Sequence, residues 1–123
     1  MPVRGIRGAI SVEANTADAI GEATTRLLVA MSEANGVEPP AVISAFFTVT
    51  TDLNAAYPAA AARALGWVDA PLLDAQEIEV PTGMPRVIRV LLHVDTDRAR
   101  GDIRHVYLDK AVALRPDLHE VNR

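Results

Sequence analysis

The sequence predicts an α+β domain, and three features of the chain point to this class. At 123 residues the chain has the length of one domain, so we expect a single domain over residues 1–123. Segments rich in β-branched residues alternate with segments of helical periodicity in the order β-α-β-α-β-β. Aromatic residues make up only 4% of the chain, so the core must consist mainly of Val, Ile, Leu and Ala side chains.

The amino-terminal third predicts the first strand and the first helix. Residues 3–12 are rich enough in β-branched side chains to favour a strand, and their two glycines suggest close approach of another backbone. Asn15 and Thr16 are candidate N-caps, and apolar residues then recur at helical spacing until Gly36. We therefore expect one amphipathic helix of about five turns.

The middle of the chain predicts a buried strand followed by a short helix. Two prolines break the chain before residues 42–50, whose mostly apolar and β-branched composition indicates a largely buried strand. Pro58 is suited to the first position of a helix over residues 59–65, and Gly66 is suited to end that helix.

The carboxy-terminal half completes the predicted domain. Residues 69–80 combine a turn with a short extended piece, and a loop with two prolines leads into a clear strand over residues 86–94. Residues 103–108 are predicted to be extended, and residues 109–114 to form a short helical turn. From about residue 116 we expect an exposed, flexible tail.

Composition disfavours several classes of protein. The formal net charge is −4, with 12 Lys and Arg against 16 Asp and Glu, which argues against a nucleic-acid partner. The absence of cysteine excludes disulfides and thiol nucleophiles and fits a reducing compartment, so we expect a cytoplasmic protein. No apolar stretch reaches the roughly 18 residues of a membrane span, and the first residues lack a signal-peptide pattern, so we expect no contact with membranes.

Known metal, hydrolase and nucleotide-binding motifs are also missing. His93, His105 and His119 do not follow the spacing of about three to five residues that is typical of paired metal ligands. The sequence contains no G-x-S-x-G motif, no P-loop and no G-x-G-x-x-G motif. We therefore expect neither a metal ion nor an organic cofactor.

Arginines are the most informative charged residues. Arg89 interrupts an apolar strand, where a guanidinium requires an anion or several acceptors. An Arg–Glu pair within the fold, or a place at an exposed sheet edge, would also explain it. Arg7 lies in another predicted strand, Arg63 on the short helix, and Arg115 after an apolar run. Together, these four could bind a compact polyanion, because arginine donates paired hydrogen bonds to carboxylates.

Two further positions are candidates for the same chemistry. Glu77 and Glu79 alternate along an otherwise apolar stretch, so both carboxylates would lie on one face of a strand. That face could equally be solvated. Tyr107 lies between apolar residues, where its ring can pack while its hydroxyl reaches a partner.

Five segments of the chain, in order and at fitting spacings, carry a family resemblance that covers nearly the whole length. They are Arg4-Gly-Ile-Arg-Gly-Ala; Thr50-Thr-Asp-Leu-Asn-Ala-Ala-Tyr-Pro-Ala; Gln76-Glu77; Ile88-Arg89-Val90; and Arg104-His-Val-Tyr-Leu with Leu114-Arg-Pro-Asp-Leu. On these segments the chain resembles the trimeric chorismate mutases of the Bacillus type.

The resemblance implies both an architecture and a reaction. It implies a mixed β-sheet with helices on one side, in a homotrimer whose chains form a pseudo-α/β-barrel core with active sites in clefts between subunits. It also implies an isomerase that converts chorismate to prephenate for phenylalanine and tyrosine biosynthesis. That Claisen rearrangement requires no metal, cofactor or proton transfer.

The resemblance also implies the site residues and their roles. Arg89 would stabilise negative charge on the ether oxygen of chorismate, and Arg7 and Tyr107 would bind a carboxylate. Glu77 would accept a hydrogen bond from the ring hydroxyl. The other positions implied to contact substrate are Tyr57, Ala59, Arg63, Leu73, Asp74, Leu114 and Arg115, with Arg63 and Arg115 providing secondary attraction for the dianion.

Three positions depart from the family pattern. Asp74 replaces a small polar or thiol side chain, Ala60 stands where a lysine can occur, and Tyr57 replaces phenylalanine. An acid at position 74 should weaken the binding of a dianion unless it pairs with an arginine. Asp74 motivates one alternative, a non-catalytic or regulatory dicarboxylate-binding trimer. The other is an enamine or imine deaminase, because a family with that activity is similar in trimeric architecture.

Overall fold

The computed structural model describes residues 2–115 of the chain, which form an α+β fold. Its strands are β1 (Val3–Ser11), β2 (Val42–Val49), β3 (Leu72–Gln76), β4 (Val87–Asp95) and β5 (Val106–Leu108). Its α-helices are α1 (Ala17–Asn35) and α2 (Ala59–Ala64), and short 3-10 helices cover Pro39–Ala41, Arg100–Asp102 and Asp109–Leu114.

The five strands form one mixed sheet in the order β3-β2-β4-β1-β5. The central strand β4 runs antiparallel to both β1 and β2. The edge strands β3 and β5 run parallel to their neighbours β2 and β1. This confirms the predicted fold class and the mixed sheet.

Helix α1 begins and ends close to the predicted limits. The hydroxyl of Thr16 accepts a hydrogen bond from the N–H of Ala19 at 3.1 Å, so Thr16 is the N-cap. Asn15, the other candidate, instead accepts hydrogen bonds from the N–H groups of Asn54 and Ala55. Gly36 ends the helix at a φ of 63°, a conformation that glycine adopts without steric cost.

Both α-helices contribute to a core on one face of the sheet. Gly8 of β1 faces α1, and a Cβ there would clash with the sulfur of Met31. The predicted close approach at this strand therefore involves side chains of the helix rather than another backbone. The largest buried core side chains are Ile6, Ile10, Ile20, Leu27, Leu28, Met31, Phe47, Ile88 and Leu92.

The main differences from the predicted elements lie in the carboxy-terminal half. The extended piece predicted within residues 69–80 is a true edge strand, β3, so the order is β-α-β-α-β-β-β. β5 is shorter than the predicted 103–108, because its ladder with β1 includes only three residues. The short helical turn predicted over residues 109–114 is present as a 3-10 helix with the same limits. The tail predicted from residue 116 lies outside the described residues.

No helix within residues 2–115 has the length and apolar character needed to cross a membrane.

Candidate active site

The sheet face turned away from α1 and α2 carries the two arginines predicted within strands. Both neighbours of Arg89 on β4, Ile88 and Val90, belong to the helix-side core. Arg89 therefore points to the opposite face, because side chains alternate along a strand. On β1, Ile6 lies in the same core, which places the next residue, Arg7, on the face of Arg89. We call this the open face.

The centre of the open face is Ala9 on β1. Ala9 pairs with Arg89 of β4 on one side and with Tyr107 of β5 on the other. Arg7 precedes Ala9 by two residues, and positions paired directly or diagonally on one sheet face lie within roughly 8 Å. The sheet thus brings Arg7, Arg89 and Tyr107 together around a small side chain.

Tyr107 is buried between strands β1 and β4 and the last 3-10 helix. Its residue is 4% exposed, and it packs in a small cluster with Ala9, Val87 and Ala111. Leu114, another predicted site residue, packs against the same cluster. The last 3-10 helix therefore packs against the open face beside Tyr107.

Glu77 lies directly beside Arg89. The Nε of Arg89 donates to Oε2 of Glu77 at 2.9 Å, and the Thr48 hydroxyl donates to the same oxygen at 3.2 Å. The backbone N–H of Glu77 donates to the carbonyl of Val49 at 2.9 Å, which fixes the residue just after β3. The side chain of Glu77 is 19% exposed and that of Arg89 is 43% exposed. The Arg–Glu pair considered from the sequence therefore exists, and it lies in an accessible place.

A cleft of about 530 Å³ opens beside this pair. Glu77 and Arg89 line it together with Thr51, Met84 and the loop that joins β3 to β4. Volumes of roughly 300–1,000 Å³ are typical of small-molecule sites. Glu77 occupies Nε of Arg89, and the terminal nitrogens of a guanidinium carry further N–H donors for an anionic ligand.

A second group of predicted site residues lies elsewhere on the same chain. Asp74 pairs with Phe47 on the helix side of the sheet, and its Oδ1 accepts the N–H of Ala59 at 3.1 Å. Tyr57 and Asp74 line another cleft, of about 560 Å³. Tyr57 is 73% exposed, and Arg63 is exposed on α2. One chain therefore holds the predicted site in two groups, one on the open face and one at the start of α2.

Asp74 has a structural partner that the sequence did not reveal. Pro58 is the N-cap of α2 and makes no side-chain capping bond, so the Asp74 carboxylate performs this function from β3. Burial raises the pKa of Asp74, whereas the bond from Ala59 and the charge of Arg63 act to lower it. The acid at this position is thus linked both to the helix and to an arginine.

The remaining predicted positions lie at the edges of the open face. Leu73 pairs with Phe46 on β2, and both residues are exposed apolar side chains. Arg115 follows the last 3-10 helix and is close enough to His105 to lower the pKa of that imidazole.

His105 is a neighbour of Arg7 that the sequence analysis did not connect with it. Its Nδ1 accepts a hydrogen bond from the backbone N–H of Arg7 at 3.0 Å. Burial lowers the pKa of His105, and the charges of Arg7 and Arg115 lower it further. Its place two residues before Tyr107 was the available signal, because alternate residues of an extended segment share a face.

Within residues 2–115, no group of three or more His, Asp or Glu residues is arranged to hold a metal ion. The open face and the cleft beside it carry arginine, carboxylate and tyrosine side chains.

Comparison with known proteins identifies the family. The sequence model of chorismate mutase type I matches residues 3–118. The chain belongs to this family. The chorismate mutase AroH of Thermus thermophilus is 55% identical over 117 residues, which cover 94% of this chain and 96% of that protein. The chorismate mutase AroH of Bacillus subtilis is 44% identical over 119 residues, which cover 96% of this chain and 94% of that protein.

A solved structure supports the same assignment at the level of the fold. The chorismate mutase of Clostridium thermocellum superposes with a TM-score of 0.87 and is 50% identical, covering 89% of this chain and 97% of that one. The resemblance to Bacillus-type chorismate mutases predicted from five short segments is therefore confirmed.

Proposed function

We propose that this chain is a chorismate mutase that converts chorismate to prephenate in the biosynthesis of phenylalanine and tyrosine. The observation that carries the proposal is the Arg89–Glu77 pair, which lines a cleft and shares a sheet face with Arg7 and Tyr107, in a chain of this family. The absence of cysteine fits a reducing compartment, and we place the enzyme in the cytoplasm.

The reaction is a rearrangement within one molecule. The carbon–oxygen bond of the enolpyruvyl ether breaks while a carbon–carbon bond forms, so no atom enters or leaves. Partial negative charge develops on the ether oxygen as the bond breaks. The terminal N–H groups of Arg89 donate to this oxygen, and because the charge is larger in the transition state, they stabilise that state more than the substrate. Neither a metal nor an organic cofactor takes part.

The other open-face residues bind the substrate in its reactive shape. Arg7 and Tyr107 hold a carboxylate, and Glu77 accepts a hydrogen bond from the ring hydroxyl while it fixes Nε of Arg89. Chorismate is flexible, and rearrangement requires the enolpyruvyl group to lie over the ring. Holding the two reacting carbons in contact removes entropy from the barrier before the chemical step.

We also propose that the active enzyme is a homotrimer with a pseudo-α/β-barrel core. Exposed apolar side chains, including Ile43, Phe46 and Leu73, lie on the strands that carry the open face. Apolar patches of this kind on a soluble domain are typical of protein interfaces. In the trimer, the group at the start of α2 (Tyr57, Ala59, Arg63 and Asp74) would complete the cleft of a neighbouring chain, with Leu73, Leu114 and Arg115 at its edges.

The contacts of Asp74 do not favour the alternative of a dicarboxylate-binding protein without turnover. Its carboxylate has a partner within the fold, since it caps α2 through Ala59. It is also near Arg63, whose charge favours its ionised form. The carboxylate of Asp74 is therefore bonded to helix α2. Its presence is compatible with chorismate as the ligand.

The direct test is to mix the purified protein with chorismate and follow the loss of ultraviolet absorbance. Prephenate is then verified by its conversion to phenylpyruvate in acid. Turnover by the wild type that Arg89→Ala abolishes would support the proposal. Arg100→Ala is the matched control, because Arg100 is an exposed arginine in a 3-10 helix outside the site. A folded wild type without turnover would contradict the proposal.

A further inference from the structure

We propose that His105 is a positioning residue whose neutral imidazole fixes Arg7 for substrate binding and releases it on protonation. The inference rests on the proposed function, because it assigns Arg7 to a substrate carboxylate. It adds a residue and a pH dependence to that site.

The geometry places His105 where the parallel ladder between β1 and β5 begins. The first pair of that ladder is Gly8 with Val106. Arg7 and His105 precede these two residues, and instead of a backbone carbonyl the imidazole Nδ1 accepts the N–H of Arg7 at 3.0 Å. The ring therefore acts as a side-chain extension of β5. It fixes the backbone from which the Arg7 side chain leaves the strand.

The protonation state of the ring decides whether this bond can exist. In neutral histidine one ring nitrogen accepts and the other donates, whereas in the cation both nitrogens donate. A cationic His105 would present an N–H to the N–H of Arg7, so the bond would be lost. The Arg7 backbone would then lose its partner at this position.

The surroundings keep the ring neutral near pH 7. The charged groups that act on it are Arg7 on β1 and Arg115 after the last 3-10 helix. Burial and both guanidinium charges lower the pKa of His105 below its ordinary value of 6.5. The acceptor is thus present at neutral pH and is lost as the pH falls through this lowered pKa.

Two substitutions distinguish the loss of the hydrogen-bond acceptor from the loss of the imidazole ring. In His105→Asn the amide oxygen can take the place of Nδ1 as acceptor, and it does not titrate. In His105→Leu the acceptor is removed while a bulky side chain remains. We expect His105→Leu to raise KM about 3- to 10-fold at neutral pH, the effect of losing one hydrogen bond, with a smaller change in kcat. His105→Asn should stay within about twofold of the wild type.

The dependence of KM on pH distinguishes this role of His105 from a purely structural one. From about pH 8 to pH 5, KM of the wild type should rise on the acid side, whereas KM of His105→Asn should lack the part of that rise caused by His105. Arg104→Gln is the control, because it alters the exposed neighbouring residue and leaves the imidazole in place. It should keep the profile of the wild type.

Imidazole nitrogen NMR tests the proposal without turnover. We expect Nδ1 of His105 to be unprotonated at neutral pH and its titration midpoint to lie below 6.5. A proton on Nδ1 at neutral pH would overturn the inference, as would equal KM values for folded Asn and Leu variants or an unchanged acid limb in His105→Asn. Failure of the proposed function differs from these results, since the wild type itself would then not convert chorismate.

Discussion

Arg89 and Glu77 form an ion pair with 2.9 Å between Nε and Oε2, although twelve residues separate them in the sequence. Glu77 is less exposed to solvent than Arg89 and also accepts a hydrogen bond from the hydroxyl of Thr48. Because the carboxylate engages Nε alone, it orients the guanidinium plane and leaves the terminal nitrogens of this cleft-lining residue without a bond to Glu77. The pair therefore contributes to the site by positioning Arg89.

The first prediction concerns this orientation. Glu77→Gln removes the charge that holds Nε and weakens the acceptor for the ring hydroxyl, so we expect kcat/KM to fall about tenfold or more, within the range for lost charge-assisted hydrogen bonds. Thr48→Val removes only the hydroxyl donor and should cost less. Steady-state kinetics on both variants compares the two losses in kcat/KM. A larger loss in Thr48→Val than in Glu77→Gln would contradict it.

The second prediction concerns the cap of α2. Asp74→Ala leaves the N–H of Ala59 without its acceptor, and lost caps cost about 0.5–2 kcal/mol in the free energy of unfolding. Asp74→Asn keeps an oxygen acceptor and should be at least as stable as the wild type at neutral pH. Urea unfolding of both variants measures the difference. Equal destabilisation by Ala and Asn would show that the carboxylate is not acting as a cap.

The third prediction is the pH dependence that Asp74 adds to stability. Its pKa is raised above 3.8 in the fold, mainly by burial. The native state therefore binds the proton more tightly than the unfolded state, and stability falls as the pH rises from about 3.8 through the raised pKa. Asp74→Asn should lack this fall. Unfolding curves on the two proteins from acid to neutral pH provide the comparison, and a parallel pH dependence would contradict the assignment.

The fourth prediction concerns the close contact between β1 and α1. Gly8→Ala places a methyl group against the sulfur of Met31, and overpacking of this kind costs about 1–3 kcal/mol in the free energy of unfolding. Gly21→Ala is the matched control, because nothing lies within 4 Å of a Cβ there. The control should stabilise α1 by about 0.5–1 kcal/mol. Opposite signs of the two changes in urea unfolding would support the packing described here.

The fifth prediction tests the open face as an interface. Phe46→Glu puts a charge among exposed apolar side chains of the sheet, so we expect it to convert a trimer to monomers and to lower activity with it. Val29→Glu adds the same charge to an exposed apolar position on α1 and should leave the trimer intact. Light scattering after size exclusion measures the mass. A wild type that elutes as a monomer would contradict the trimer.

The sequence predicted the positions that physical patterns mark strongly. Arg89 stood out because a single charge interrupted an apolar strand, and α1 was delimited by Thr16 and Gly36. The strand β3 was predicted only as a short extended piece, because a parallel edge strand is defined by its pairing with β2 and not by local composition. The contacts of Glu77 with Arg89 and of His105 with Arg7 join distant segments. Spacing can place each residue on a face of its own strand, but it does not show which side chains meet across the sheet.

The central claim is that the positive charge of Arg89 stabilises the transition state. The most direct test replaces Arg89 with a neutral isostere of arginine such as citrulline, which keeps the shape, Nε–H and one terminal NH2 group and removes the charge. We predict a fall in kcat of about 10²–10³-fold with a much smaller change in KM. A kcat equal to that of the wild type in the folded variant would contradict the account.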